Sequence, residues 1–152
     1  MLAAKPGLRA KLGLGPRATL SYAVGDRIDV PASVYDAAPV TILLFARSTC
    51  GVCQRAAPTF AAMFGSARAN PRSSIRLISN GASHEDEVSY AHRVGLGEAD
   101  MRAVDVTPLR LRLVPTLVLL DRQGTVRYAS EGVPTAAQQD EFARVLKTMA
   151  AR

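Results

Sequence analysis

The 152-residue sequence has no tryptophan, only two cysteines and no long uninterrupted apolar run. No stretch approaches the roughly 18 consecutive apolar residues that a membrane-spanning helix needs. The N-terminus also lacks the hydrophobic core of a signal peptide. Two cysteines by themselves do not make a structural zinc site, because such sites use four ligands. We therefore expect a soluble chain, and the sequence leaves open whether a signal or anchor once preceded it.

Acidic residues are absent from the first 20 positions, where four basic residues account for most of the net charge of +6. These basic residues are Lys5, Arg9, Lys11 and Arg17. The remaining 15 basic and 13 acidic residues nearly balance, which disfavours a nucleic-acid-binding protein. We predict a flexible basic leader over residues 1–20 that is attracted only weakly to anionic lipid. One folded domain is expected over residues 21–152.

The order of apolar runs and helix signals along the chain predicts an α/β fold. Strands are expected at about 39–46, at about 74–79 and in a hairpin over 116–129. Helices are expected after Cys53, from Ser83, at Thr107–Arg112 and from Thr135, on the basis of capping residues and of apolar residues at helical spacing. This order favours a three-layer α/β/α sandwich around a mixed sheet, without a repeat or a second domain.

The two cysteines form a single Cys-Gly-Val-Cys unit, Cys50 to Cys53, directly after the apolar run of residues 39–46. Two cysteines placed at random would have this spacing in roughly one case in eighty, so the spacing alone is a weak signal. Their position is more informative, because the N–H groups and the dipole at the start of a helix favour a thiolate. Thiol–disulfide exchange needs one attacking thiolate and a second thiol that resolves the mixed disulfide. We assign the first role to Cys50 and the second to Cys53.

Three later motifs extend this pattern. A Val-Pro-Thr motif at 114–116 precedes a strand-like run, an Asp-x-x-Gly turn follows that run, and Gly132 lies beyond it. Together with the CxxC unit they resemble the thioredoxin superfamily, and within it the TlpA/ResA-like branch, over about residues 25–152. The resemblance implies a thioredoxin fold with an insertion between the second strand and Pro115. It also implies a cis-proline at Pro115 packed against the sulfurs, and no organic cofactor besides the redox-active disulfide Cys50–Cys53.

The same resemblance implies how a substrate is held. Val114 would present its backbone to an extended substrate strand, and Thr49, Gly51 and Val52 would complete the substrate-binding residues. The partners would be proteins that carry thiols or disulfides, together with an upstream redox partner. TlpA/ResA-like proteins usually work outside the bacterial cytoplasm, so we expect an extracytoplasmic monomer, near the membrane through a missing anchor, with a cytoplasmic location left open.

The sequence departs from these relatives close to the cysteines. Thioredoxins often carry a buried acid six residues before the first cysteine, where this chain has Leu44. Some TlpA-like members place a glutamate three residues after the second cysteine, where this chain has Ala56. Ala46 and Thr49 stand where thioredoxins have flanking tryptophans. Without either carboxylate, proton removal from Cys53 would rely on solvent or substrate, so we expect exchange that is slower or differently poised.

Two other functions can be weighed from the same residues. Peroxiredoxins place a threonine three residues and a proline seven residues before the reactive cysteine, where this chain has Arg47 and Leu43, so peroxide reduction is disfavoured. Copper or zinc binding for delivery is the main alternative, although one CxxC unit supplies only two thiolates. His84 and His92 lie too far apart for neighbouring turns of one helix. Arg47 is also a candidate for stabilising the Cys50 thiolate.

Overall fold

The computed structural model describes residues 20–79 and 83–152. Apart from Leu20, the predicted basic leader lies outside the described residues. The division of the chain at residue 20 therefore stays a prediction. Within the two described ranges, none of the helices combines the length and the apolar character needed to cross a membrane.

The described residues form a four-stranded mixed sheet and three α-helices. The strands are β1 (Val40–Ala46), β2 (Ser73–Ser79), β3 (Thr116–Asp121) and β4 (Val126–Glu131). The helices are α1 (Gly51–Ala67), α2 (His84–Arg93) and α3 (Ala136–Ala150), with short 3-10 helices at Ala32–Val34 and Glu98–Asp100. The strand order is β2-β1-β3-β4, with β1 parallel to β2 and the other two pairs antiparallel. The predicted α/β fold with a mixed sheet is confirmed.

Strand β1 lies in the interior of the sheet, and all seven of its residues are buried. The strand is apolar except at Thr41, as expected for a strand that is covered on both faces. Its last residue, Ala46, pairs with Ser79 of β2, and Phe45 pairs with Thr116 of β3. The loop that leads to Cys50 therefore leaves the sheet between the end of β2 and the start of β3.

All three helices contribute to one apolar cluster on one face of the sheet. Their buried residues recur at three and four positions, which is the pattern of an amphipathic helix. The rings of Phe60 and Phe64 in α1 stack with their centroids 5.8 Å apart. The ring of Phe142 in α3 meets that of Tyr128 in β4 edge-on at 5.6 Å. Burial of these rings fixes α1 and α3 on the sheet.

Two of the predicted helix starts are also confirmed. The Ser83 side chain accepts a hydrogen bond from the N–H of Asp86, and α2 begins at His84. Thr135 and Gln138 form a reciprocal capping box at the start of α3. These caps satisfy N–H groups that would otherwise lack a partner within the helix.

The opposite face of the sheet is covered by extended chain and one 3-10 helix, without an α-helix among the described residues. Residues 20–35 supply one part of this cover and residues 104–114 the other. The covering apolar residues are Tyr22, Ile28, Val30, Val34 and Tyr35, with Val104, Leu109 and Leu111 packed beside them. This outer layer differs from the helical layer that the expected α/β/α sandwich would have.

The predicted short helix at Thr107–Arg112 is wrong, because these residues form a turn followed by irregular chain. The N–H of Arg110 donates to Tyr22 Oη at 3.1 Å, and the N–H of Arg112 donates to Ser21 Oγ at 2.8 Å. A helix would need such N–H groups for its own carbonyls. Contacts with the distant 20–22 segment therefore override the local helix signal of Thr107 and Pro108.

Gly124 provides a test of packing on this second face. Its φ of +80° lies in the left-handed region, and a Cβ there would be 2.5 Å from Cζ of the buried Tyr35. We expect Gly124→Ala to lower the free energy of unfolding by at least about 1 kcal/mol, because alanine disfavours this backbone conformation and also clashes. Urea unfolding followed by circular dichroism measures the change.

Gly65 in α1 is the matched control for this substitution. A Cβ at Gly65 meets no atom within 4 Å. Gly65→Ala should therefore be neutral or raise the free energy of unfolding by about 0.5–1 kcal/mol, since alanine favours the helix. Equal effects of the two substitutions would contradict this assignment.

Candidate functional site

Cys50 lies at the N-cap position of α1, where the chain turns from the loop after β1 into the helix. Its backbone is extended, with φ −90° and ψ 120°, and its Sγ accepts a hydrogen bond from the N–H of Cys53 at 3.1 Å. A sulfur here replaces the side-chain oxygen that usually caps a helix. The side chain is only partly buried, so Cys50 combines a stabilised position with access to solvent.

Cys53 lies one turn further along α1 and is fully buried. Burial, followed by the hydrogen bond with Cys50, raises the pKa of the Cys53 thiol to about 12. Cys53 is therefore a neutral thiol at physiological pH, whereas the partly exposed Cys50 is the thiol that reagents reach first. Both cysteines are free thiols in this structure.

Val114 and Pro115 bring the segment before β3 against Cys50. The Val114–Pro115 peptide bond is cis, and the Val114 carbonyl oxygen lies 3.6 Å from Cys50 Sγ, where it accepts from the thiol. The Pro115 carbonyl accepts the N–H of Gly132, which ties this segment to the end of β4. The structure thus brings together Cys50, Cys53 and Val114, and Pro115, which follows Val114 in sequence, is buried.

The remaining predicted substrate-binding residues surround Cys50 in sequence and remain accessible. Thr49 and Gly51 are exposed, and Val52 is partly exposed. A cleft of about 140 Å³ opens beside Val114 and Arg47, between the end of β1 and the irregular segment before β3. A larger groove of about 440 Å³ between α1 and α3 includes neither cysteine. The smaller cleft is not lined by a cysteine either, but its lining includes Val114, whose carbonyl oxygen contacts Cys50 Sγ.

The two positions where relatives carry an acid are apolar and buried in this fold, at Leu44 and Ala56. A different acid lies near the site: Glu87 of α2 is 3% exposed. Its Oε1 accepts the N–H of Ser48 at 2.9 Å, and its carboxylate also bonds the hydroxyls of Ser48 and Ser79. Sequence analysis missed Glu87, because three consecutive acids at a helix start are typical of an exposed first turn.

Tyr90 of α2 is the second residue near the site that sequence analysis missed. It is almost fully buried, and its hydroxyl donates to the Cys53 carbonyl oxygen at 3.0 Å. Burial, and then the charges of Cys53 and Cys50, raise the pKa of the Tyr90 hydroxyl well above its usual value. The spacing of Glu87, Tyr90 and Ala91 marks the buried face of α2, and this spacing was the available signal.

The histidines considered for metal binding lie on α2. His84 pairs with Glu98 at 2.9 Å, and both side chains are exposed. Across residues 20–79 and 83–152, no group of three or more histidine, cysteine, aspartate or glutamate side chains is arranged to hold a metal ion. Arg47 is exposed, and its proposed effect on the Cys50 thiolate stays a prediction.

Comparison with solved structures identifies the fold. A thiol:disulfide interchange protein from Bacteroides sp. is 13% identical, with a TM-score of 0.64 over 86% of this chain and 92% of the other. The thioredoxin domain of a Bacteroides vulgatus thiol-disulfide oxidoreductase is 11% identical, with a TM-score of 0.61 over 84% and 99%. A secreted Mycobacterium tuberculosis disulfide oxidoreductase is 20% identical, with a TM-score of 0.53 over 77% and 85%.

No protein-family model and no curated protein matches the sequence. At these identities the structural likeness establishes the fold. The chain has the thioredoxin fold, as its sequence motifs predicted.

The different exposure of the two thiols predicts selective alkylation. In the reduced protein at neutral pH, iodoacetamide should modify Cys50 at least about tenfold faster than Cys53, because Cys53 is buried and protonated. Peptide mass spectrometry after timed quenching measures both rates. In urea-unfolded protein the two rates should converge, and equal rates in the native protein would contradict the assignment.

The raised pKa of Cys53 also predicts how stability depends on pH. An unfolded cysteine thiol loses its proton near pH 9, whereas the folded one keeps it up to about pH 12. The reduced protein should therefore lose stability as the pH rises above about 9, by up to about 1.4 kcal/mol per pH unit. Urea unfolding at several pH values should show a shallower decline in Cys53→Ser, and parallel declines would contradict the shift.

Proposed function

We propose that this protein is a thiol:disulfide oxidoreductase of the TlpA/ResA-like kind that acts on protein disulfides through Cys50 and Cys53. The observation that carries the proposal is the capping bond at the start of α1. It holds an accessible Cys50 sulfur against the N–H of Cys53, with a buried second thiol one turn away. The connection between β2 and β3, which includes α2, would be the insertion of that branch.

The reaction in the reducing direction follows from these positions. The Cys50 thiolate attacks one sulfur of a substrate disulfide, the substrate S–S bond breaks, and the released thiolate takes up a proton. Cys53 then loses its proton, and its sulfur attacks Cys50 Sγ in the mixed disulfide. The second substrate thiolate leaves and is protonated. The substrate gains two electrons and two protons, and the enzyme ends with a Cys50–Cys53 disulfide.

The raised pKa of Cys53 bears on the second half of this sequence. A buried thiol with a pKa of about 12 is a poor nucleophile until its proton is removed. Glu87, the buried carboxylate near the site, bonds Ser48 and Ser79, and none of these three hydrogen bonds reaches a sulfur. Resolution by Cys53 is therefore expected to be the slower step, with solvent or the departing substrate thiolate as the proton acceptor.

Substrate binding would use the surface around Cys50. Thr49, Gly51 and Val52 flank Cys50 in sequence, and the Val114 carbonyl oxygen lies 3.6 Å from its sulfur. An extended substrate segment beside Val114 would pair with its backbone and place a side chain in the cleft next to Arg47. No cofactor besides the cysteine pair is required for this chemistry.

The substrates would be proteins with thiols or disulfides, and an upstream partner would restore the cysteine pair to its starting redox state. The secreted Mycobacterium tuberculosis relative in structure supports an extracytoplasmic location in a bacterium. We propose that the protein is a monomer and that an anchor outside this sequence holds it near a membrane.

A trapping experiment with oxidised insulin tests the proposal. The Cys53→Ser variant cannot resolve a mixed disulfide, so it should accumulate a covalent adduct between Cys50 and an insulin chain, visible by mass spectrometry and lost on addition of dithiothreitol. With dithiothreitol as the electron donor that regenerates the two thiols, the wild-type protein should reduce insulin catalytically. Cys50→Ser is the matched control and should give neither an adduct nor turnover. Absence of the adduct in folded Cys53→Ser would overturn the proposed function.

A further inference from the structure

The carboxylate of Glu87 is buried beside the loop that precedes Cys50, and its partners are unusual for a buried charge. It is 3% exposed, and it forms no salt bridge among the described residues. Its partners there are the N–H and hydroxyl of Ser48 and the hydroxyl of Ser79. A buried carboxylate is costly unless several donors compensate it. Two of these three donors belong to one residue of the active-site loop.

Both backbone polar groups of Ser48, the N–H and the carbonyl oxygen, form hydrogen bonds to side chains. Its N–H donates to Glu87 Oε1 at 2.9 Å, and its carbonyl oxygen accepts from Gln54 Nε2 at 2.8 Å. The N–H of Cys50 in turn donates to the Arg47 carbonyl oxygen at 3.3 Å. Loops of this kind are usually mobile, but these bonds fix the four residues between β1 and α1. The direction in which the chain reaches Cys50 is therefore set at Ser48.

Helix α2 contacts the chain on both sides of Cys50. Glu87 bonds the loop two residues before it, and Tyr90, three residues further along α2, bonds the carbonyl oxygen of Cys53 three residues after it. Both side chains lie on the buried face of α2. Because α2 bonds both the loop before Cys50 and the first turn of α1, it limits the movement of Cys50 Sγ between them.

From this geometry we infer that Glu87 is a positioning residue, which acts through Ser48 to hold Cys50 Sγ at the start of α1 and against Val114. The inference rests on the proposed function and names a residue of α2 that supports it. Its role differs from that of an acid that takes a proton from the second cysteine, because the bonds of Glu87 go to the loop. A misplaced reacting group slows a reaction steeply, even by displacements of about 1 Å.

Two substitutions at Glu87 distinguish the role of its hydrogen bonds from the role of its charge. Glu87→Ala removes every bond to Ser48 and should slow both insulin reduction and Cys50 alkylation roughly tenfold. Glu87→Gln keeps an oxygen that accepts the Ser48 N–H, and its amide donates to hydroxyls that can also accept. It should therefore retain rates within about threefold of the wild type. Equal loss in Gln and Ala would assign the role to the charge and overturn the positioning inference.

Two serine variants provide the matched comparison. Ser48→Ala and Ser79→Ala each remove one hydroxyl from the same carboxylate, but only Ser48 lies in the active-site loop. Ser48→Ala should slow Cys50 alkylation at least about threefold, whereas Ser79→Ala should leave it within about twofold of the wild type. Urea unfolding of all variants identifies the conditions in which each is folded. If Glu87→Ala does not fold, the serine pair decides the question.

The failure of this inference is distinguishable from that of the proposed function. If the wild type and Ser79→Ala reduce insulin and Ser48→Ala does so equally fast, the positioning role is wrong and the oxidoreductase stands. The reduction potential of the Cys50/Cys53 pair, measured in glutathione buffers, gives a second readout. It should shift in Ser48→Ala and remain at the wild-type value in Ser79→Ala, and equal shifts would also overturn the inference.

Discussion

The complete burial of β1 is the constraint on which the rest of the structure depends. Because both faces of this strand are covered, its two neighbours and its register are fixed along its whole length. The carboxyl end of β1 is therefore fixed between Ser79 of β2 and Thr116 of β3. The positions of the parts of the candidate site depend on this end of β1. These parts are the loop through Ser48, the start of α1, and the segment with Val114 that leads into β3. A change in register would separate the two sulfurs from Val114.

The hydrogen bond from the Cys53 N–H to Cys50 Sγ contributes both to the stability of α1 and to the chemistry of the cysteine pair. A helix needs its first N–H groups satisfied, and here a sulfur of the reactive pair satisfies one of them. The apolar cluster under α1 buries Cys53 and so keeps it protonated, while the N-cap position leaves Cys50 within reach of other molecules. The difference between the two thiols therefore follows from ordinary helix packing.

Sequence reasoning succeeded where the signal is local. The apolar run of β1, the CxxC unit and the caps at Ser83 and Thr135 each depend on residues close in sequence, and the structure places these elements as predicted. The order of those elements predicted an α/β fold, and the resemblance of the CxxC unit and the later motifs to the thioredoxin superfamily implied the thioredoxin fold.

Long-range contacts account for what the sequence did not reveal. Ser48 and Glu87 lie 39 residues apart, so nothing around either residue indicates their bond. The first-turn acids of α2 gave a correct helix start and concealed that one of them is buried. Likewise, the Thr107–Pro108 signal is a sound local one, but the hydrogen bonds of Arg110 and Arg112 to residues 21 and 22 decide against a helix.

The N-cap bond of Cys50 also explains why two residues separate the cysteines. A capping side chain reaches the N–H of the third helical residue, and in α1 that residue is Cys53. One inserted residue would leave a different amide under the sulfur and would rotate the second cysteine by about 100° around the helix axis, away from its buried position. The length of the motif is thus a property of helix geometry, which tolerates changes in the identity of Gly51 and Val52 more readily than a change in their number.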